Sequence, residues 1–214
     1  DARDSGRSDR VSSPYSMGDM ADDLTAFFRT LGIGAAHVVG HSLGGLVALD
    51  LALRPELHVA KLVLVASMGL GPQVTFGARA FFRVGPERLA RWLGPRLFSR
   101  LSPFPDTPVG QRLGALAYEL YAAPGGHAAA ARAFEALAPV LGPAPHLAAR
   151  LGEVRAPTLL LWGERDEAIP APLAIAGASA LPNGELHMMA AAHSPHLEDP
   201  DAALPVVLRF LAKG

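Results

Sequence analysis

The chain has 214 residues, a formal net charge of −1 and no cysteine, and 50% of its residues are hydrophobic. Its length and apolar content fit a globular domain with a large core. The balanced charge gives no argument for nucleic acid or an anionic membrane as partner, and the lack of cysteine excludes disulfides and thiolate metal sites. Gly, Pro or a charge interrupts every apolar run before the roughly 18 residues that a membrane span needs, so no span is expected.

The first predicted element is an amphipathic helix. A polar loop occupies 1–14, and apolar residues then recur at helical spacing over 17–31. Ser16 and Asp19 match a capping box at the start, and Gly32 is a typical stop signal. The pattern therefore predicts a surface helix that ends just before the first strand.

The helix leads into a strand, a tight turn and a second helix. Continuous apolar runs predict the strand over about 35–40 and a buried helix over 43–53. The turn between them reads Gly40-His41-Ser42-Leu43-Gly44-Gly45. A G-x-S-x-G pattern in this context is typical of a nucleophile elbow, which lifts one serine above the carboxyl end of a sheet. Ser42 is therefore the candidate nucleophile and the Leu43 amide a candidate oxyanion donor; the turn is expected to be too tight for side chains at Gly40 and Gly44.

The rest of the chain alternates strands with helices, apart from one long insertion. Strands are predicted at 61–66, 157–163 and 184–189, and helices at 171–180 and 201–212. Such alternation predicts an α/β fold with a parallel sheet. Between 68 and 151 we predict no strand, only helical pieces at 76–84, 87–101, 110–123 and 127–141. These helices predict a cap over the carboxyl edge of the sheet, where ligands bind in open α/β folds.

A serine nucleophile needs an imidazole base that a carboxylate orients, and elbow enzymes supply the acid and then the histidine downstream. Asp166 follows the third predicted strand, and Glu164 and Glu167 are alternative acids beside it. His193 and His196 both follow the fourth strand. Because the carboxyl ends of parallel strands share one edge, these groups are expected to meet Ser42, while position alone leaves either histidine open as the base.

Other polar residues are interpreted more simply. His41 is predicted to be a packing or wall residue, and no pair of histidines has a convincing metal-site spacing, so no metal or cofactor is expected. Six arginines of the insertion form either a solvated helical face or, for one or two of them, a clamp for a substrate carboxylate. They are Arg79, Arg83, Arg88, Arg91, Arg96 and Arg100. The aromatic residues of this segment are expected mainly to pack the cap, with a minority lining an apolar pocket: Phe76, Phe81, Phe82, Trp92, Phe98 and Phe104.

With these motifs in view, the chain resembles the α/β-hydrolase fold superfamily, in particular its capped serine hydrolases, from residue 1 to about 212. The segment 1–9 is similar to the family loop D-x-R-G-x-G-x-S, with Asp4 in place of the first glycine. The segment Trp162-Gly163-x-x-Asp166 resembles the family's acid loop. The segment His193-x-Pro195-x-x-Glu198-x-Pro200 resembles the family's base loop, with Ala192 where the family usually has glycine. This last similarity favours His193 over His196 as the base.

The resemblance implies an α/β-hydrolase fold: a mostly parallel sheet, N-terminally truncated to about four parallel strands, with an inserted helical cap. The hydrolase core is expected at 1–67 and 152–214, and the cap at 68–151. Family members carry further strands and a His-Gly oxyanion loop before this point. The elbow strand is therefore expected at an exposed edge, and no loop of this chain is a candidate for the second oxyanion donor.

The function implied is that of a serine hydrolase, either carboxylesterase-like or a C–C bond hydrolase. It would cleave an ester, a lactone or a C–C bond next to a ketone through an acyl-enzyme, with Ser42, His193 and Asp166 as the triad. The expected partner is a small apolar acyl or keto compound, with no nucleic acid and no cofactor, in the cytoplasm; the oligomeric state is left open. The alternatives are a ligand-sensing regulator with slow turnover, and a cofactor-free haloperoxidase or acyltransferase. A further hypothesis is that this chain is inert because it lacks the second oxyanion donor.

Overall fold

A computed structural model of the chain describes residues 1–71, 80, 84–101, 108–123, 126–137 and 147–213. Its central feature is a sheet of four parallel strands in the order β1–β2–β3–β4. The strands are β1 (Ala35–His41), β2 (His58–Val65), β3 (Thr158–Gly163) and β4 (Gly184–Met189). Each overlaps a strand predicted from the sequence. As expected, the elbow strand β1 lies at an edge, where Val39 is 55% exposed.

Helices connect and cover these strands. They are α1 (Met17–Thr30), α2 (Leu43–Ala52), α3 (Pro86–Leu101), α4 (Pro108–Ala122), α5 (Gly126–Leu137), α6 (Ala171–Ala180), α7 (Pro195–Glu198) and α8 (Pro200–Ala212). The predicted capping box of α1 is present, because the Ser16 hydroxyl accepts from the Asp19 amide while the Asp19 carboxylate accepts from the Ser16 amide. Within the ranges given above, no helix is long and apolar enough to cross a membrane.

The two faces of the sheet are covered by different helices. Alternate side chains of β2 point to opposite faces, as in any strand. Leu62 and Leu64 pack in the larger core with α2 and α6, whereas Val63 and Val65 pack in a second core with α8. The continuous apolar run of β2 is thus explained by burial on both sides. Because all four strands are parallel, their carboxyl ends lie at one edge of the sheet.

The described part of the segment between β2 and β3 is mainly helical. Phe98 of α3 is fully buried against Tyr118 and Tyr121 of α4, with ring centroids 5.9 Å apart in both pairs, as the packing prediction required. The same prediction is wrong for Trp92, which is 84% exposed. Four of the six arginines considered above are exposed: Arg88, Arg91, Arg96 and Arg100.

Other expectations for this segment fall outside the described residues. They concern most of the predicted helix at 76–84 and the side chains of Phe76, Phe81, Phe82, Phe104, Arg79 and Arg83. A cap over the sheet edge, with boundaries at 68 and 151, stays a prediction.

Candidate active site

Ser42 stands in a strained turn between β1 and α2. Its φ is 53° and its ψ is −117°, a left-handed backbone that is uncommon outside glycine. Backbone hydrogen bonds to the end of β2 and the residues after it hold it there: the Ser42 amide donates to the Val65 carbonyl, and the Met68 amide donates to the Ser42 carbonyl. Strain of this kind persists only where the surroundings impose it, and it is concentrated at functional sites.

The glycines around Ser42 differ in why they are needed. A Cβ at Gly40 would lie 2.5 Å from the carbonyl oxygen of Gly44, and a Cβ at Gly45 would overlap the side chain of Ser67. A Cβ at Gly44 would meet nothing within 4 Å. The expectation of a turn too tight for side chains is therefore confirmed at Gly40 and wrong at Gly44; the second tight position is Gly45, where α2 crosses Ser67, the second residue after β2.

This contrast predicts different outcomes for two matched substitutions. Gly40→Ala forces the strand away from the helix backbone, so we expect it to cost about 1–3 kcal/mol of unfolding free energy, as overpacking usually does. Gly44→Ala meets open space and removes a flexible residue from a helix, so it is expected to be neutral or slightly stabilising. Urea unfolding of both variants measures the difference. Equal losses of stability would show that the steric argument fails.

Asp166 lies in the loop after β3, and its side chain is fully buried. One carboxylate oxygen, Oδ1, accepts from the backbone amides of Ala168 and Ile169, each at 2.9 Å. The other, Oδ2, accepts from Nδ1 of His193 at 2.9 Å. The two alternative acids of this loop are both exposed: Glu164 and Glu167. The geometry thus brings Asp166, and neither glutamate, to the histidine.

His193 lies between Asp166 and Ser42. Its Nε2 is 2.9 Å from the Ser42 hydroxyl oxygen. Because the carboxylate of Asp166 can only accept, Nδ1 carries the proton, and Nε2 is left with a lone pair for the Ser42 hydroxyl proton. His196, the other candidate base, contacts neither residue in this way. Its ring lies 4.6 Å from that of His41, and among the described residues its Nδ1 is buried without a hydrogen-bond partner.

The acid and base loops touch closely enough to explain another glycine. A Cβ at Gly163, the last residue of β3, would overlap the carbonyl oxygens of Ala191 and Ala192. The following residues pair with the base loop, since the Arg165 amide donates to the Ala191 carbonyl. The glycine after Trp162 therefore lets the two loops pass each other, and this close passage brings Asp166 within reach of His193.

Glu198 is a site residue to which the sequence analysis assigned no role. Its carboxylate accepts from the amide of Ala192 at 2.8 Å and from the amide of Ser194 at 2.9 Å, so it holds both neighbours of His193. The short helix α7 turns the chain back and makes this contact possible. The signal available in the sequence was the acidic residue five positions after His193. Its role is evident only once α7 is known to bring Glu198 back to the amides of Ala192 and Ser194.

His41 is the second residue whose contacts sequence reasoning missed. Its Nε2 lies 2.9 Å from the backbone carbonyl oxygen of His193, and its ring centroid is 5.0 Å from that of His193. Burial and the neighbouring imidazole of His193 lower the pKa of His41 from 6.5 to about 4. Burial also lowers the pKa of His196, with a further contribution from His193. His41 is therefore uncharged at neutral pH.

The low pKa of His41 predicts a loss of stability in acid. Below pH 6.5 this histidine is protonated in the unfolded chain but not in the folded chain. The unfolded state therefore binds more protons, and the unfolding free energy decreases as the pH is lowered. The effect grows between pH 6.5 and about 4 and reaches roughly 3 kcal/mol, at 1.36 kcal/mol per pKa unit. Urea unfolding at pH 7.5, 6 and 5 measures it. In His41→Gln the unfolding free energy should depend less on pH. If it decreases with pH as steeply as in the parent protein, His41 is not the source of the acid sensitivity.

The N-terminus of α2 faces the nucleophile. Ser42 occupies the N-cap position, and no side chain caps the helix. The Leu43 amide is therefore a backbone donor directly after Ser42, at the positive end of the helix dipole. Among the described residues, no group of three or more His, Cys, Asp or Glu side chains is placed to hold a metal ion.

Comparison with known proteins gives consistent matches along the chain. The model of the alpha/beta hydrolase family matches residues 1–205. RutD of Serratia proteamaculans (strain 568), provisionally named a carbamate hydrolase, is 31% identical over 209 residues, covering 95% of this chain and 75% of RutD. The 2-hydroxymuconate semialdehyde hydrolase of Pseudomonas putida is 29% identical over 204 residues, covering 94% of this chain and 70% of that protein.

A solved structure shares the fold at lower identity. The enol-lactonase of Burkholderia xenovorans LB400 superposes with a TM-score of 0.79 at 21% identity, covering 100% of this chain and 79% of the enol-lactonase.

Proposed function

The chain belongs to the alpha/beta hydrolase family, and we propose that it is a serine hydrolase with Ser42, His193 and Asp166 as its catalytic triad. The observation that carries the proposal is the continuous hydrogen-bonded path from Asp166 through His193 to Ser42, with 2.9 Å at each step. The three groups come from three separate loops and meet at the carboxyl edge of the sheet. A buried carboxylate, an imidazole in the required tautomer and a serine on a strained elbow are the parts that acyl transfer needs.

The geometry supports a two-step reaction. The Ser42 hydroxyl oxygen bonds to the substrate carbonyl carbon as its proton passes to His193 Nε2, and the resulting oxyanion accepts from the Leu43 amide. The bond to the leaving group then breaks, and that group takes the proton from His193. Water next attacks the acyl-enzyme, gives a proton to His193, and releases the acid as the proton returns to Ser42. Asp166 remains ionised and orients His193 throughout.

The names of the three relatives bear on the substrate class. They describe a carbamate, a semialdehyde and an enol lactone, which all contain a reactive carbonyl group. We take the substrate to be a small, mainly apolar acyl or keto compound, cleaved at an ester or lactone bond or at a C–C bond next to a ketone.

The test is turnover on a panel of 4-nitrophenyl butyrate, an aliphatic lactone, an aryl carbamate and a vinylogous 1,5-diketone. Ser42→Ala is compared with Ser179→Ala, a matched change at an exposed serine of α6. We expect Ser42→Ala to lower kcat by about 10⁴-fold or more on any substrate that is turned over, and Ser179→Ala to leave it unchanged. Activity that survives in Ser42→Ala contradicts the proposal. Binding of panel compounds without turnover would also contradict it and would favour the slow regulator.

A further inference from the structure

His41 makes a contact that the proposed reaction does not use. It is the last residue of β1, directly before Ser42, and its ring centroid lies 5.0 Å from that of His193 and 4.6 Å from that of His196. Its Nε2 meets the backbone carbonyl oxygen of His193 at 2.9 Å. A carbonyl oxygen can only accept, so Nε2 must carry the proton and donate it.

This bond links two parts of the site that lie at opposite edges of the sheet. The elbow follows β1 at one edge of the sheet, whereas the base loop follows β4 at the other edge, so the base loop has to reach across β2 and β3. In the described part of the chain, two hydrogen bonds join the base loop to the elbow. One is the reactive contact between His193 Nε2 and Ser42, and the other is the bond from His41 to the His193 carbonyl.

The backbone of His193 is thereby held at three points. Glu198 accepts from the amides of Ala192 and Ser194, on either side of it, and His41 donates to its carbonyl oxygen. Glu198 fixes the shape of the loop, but it lies in the same loop and cannot set the distance to the elbow. His41 can, because it belongs to the strand that carries Ser42.

The charge state of His41 suits this task. The ionisable groups facing it are His193, His196 and Asp166, and burial together with the two imidazoles outweighs the opposite influence of Asp166. His41 is therefore neutral when His193 takes up a proton during the reaction, so no second cation opposes the imidazolium. A neutral donor can hold the loop without raising the energy of the charged intermediate.

We propose that His41 is a positioning residue, which holds the base loop to the elbow and keeps His193 Nε2 within hydrogen-bond distance of Ser42. This role rests on the proposed function, since it matters only if His193 takes the proton from Ser42. Misplacement of a catalytic group by about 1 Å can cost on the order of 100-fold in rate. The loss should fall on kcat, because His41 sets the distance between reacting groups and has no assigned contact with substrate.

The test compares His41→Leu, which removes the donor but keeps apolar bulk, with His41→Gln, which keeps a donor. For a 4-nitrophenyl ester that the parent protein hydrolyses, His41→Leu is expected to lower kcat by about 10- to 100-fold with KM changed less than threefold. His41→Gln should recover most of that loss. His187→Leu, at an exposed histidine of β4, is the matched control and should retain full kcat.

Thermal unfolding of the same variants separates positioning from stability. His41→Leu and His41→Gln should have similar Tm values but different kcat values. A His41→Leu enzyme with the kcat of the parent protein overturns the inference, and so does an equal loss in both variants. These outcomes are distinct from failure of the proposed function, in which Ser42→Ala itself would remain active.

Discussion

Asp166→Asn is expected to lower kcat by about 10⁴-fold while leaving the fold intact, because it reverses the tautomer of His193. The amides of Ala168 and Ile169 both donate to Oδ1 of Asp166. In the variant the amide oxygen must stay at that position to accept from them, so the side-chain NH₂ is turned toward His193. An NH₂ group donates to Nδ1, which moves the imidazole proton to Nε2, and Nε2 can then no longer accept the proton of Ser42.

The measurement is kcat for the best ester of the panel, with Tm recorded for each variant. Asp201→Asn, at an exposed aspartate in the first turn of α8, is the matched control and should keep full activity. A loss of less than tenfold in Asp166→Asn would mean that Asp166 does not set the state of His193. The same follows if both variants lose activity equally.

Arg132→Met is expected to lower the unfolding free energy by about 3–5 kcal/mol, the usual result of leaving a buried charge without its partner. Arg132 of α5 donates two hydrogen bonds to the carboxylate of Asp4, at 2.9 Å and 2.8 Å, and the Asp4 side chain is only 2% exposed. Hydrogen bonding to Arg132 lowers the pKa of Asp4. The pair therefore stabilises the fold at neutral pH, and this contribution is lost as the pH falls below the ordinary aspartate value of 3.8.

A second substitution makes this prediction sharper. Asp4 has a φ of 61°, a left-handed backbone that glycine adopts without strain. Asp4→Gly relieves that strain, and the side chain of Arg132, which is 17% exposed, can turn toward water. We expect Asp4→Gly to cost less than half as much as Arg132→Met, and the double variant to be more stable than Arg132→Met alone.

Urea unfolding of the three variants completes a double-mutant cycle, with Arg91→Met as the control at an exposed arginine of α3. A double variant no more stable than Arg132→Met would show that Asp4 and Arg132 do not act as a pair.

Much of this architecture could be predicted because its signals are local. The apolar runs of β2 and β3 are buried on both faces, and the capping box at Ser16 and the stop at Gly32 act within one helical turn. The G-x-S-x-G pattern between a strand and a helix likewise predicts the elbow. Position after a strand of one parallel sheet indicated Ser42, an acid of the Asp166 loop, and either His193 or His196, and the resemblance of the base loop favoured His193; the structure brings Ser42, Asp166 and His193 together.

The errors and omissions concern contacts between distant segments. Whether a glycine is crowded depends on what packs against it, so the sequence could not show that Gly45 meets Ser67 while Gly44 faces open space. The ion pair of Asp4 joins residues 128 positions apart, and the bond of His41 joins residues 152 positions apart. Spacing along the chain carries no information on such pairs.

Covalent labelling with a fluorophosphonate tests whether Ser42 is the activated nucleophile, because this reagent reacts with a serine only when a neighbouring base has activated it. The adduct is located by peptide mass in the parent protein, in Ser42→Ala and in Asp166→Asn. We expect one adduct on Ser42 in the parent protein, none in Ser42→Ala and much slower labelling in Asp166→Asn. A folded parent protein that stays unlabelled, or an adduct on another serine, would contradict it.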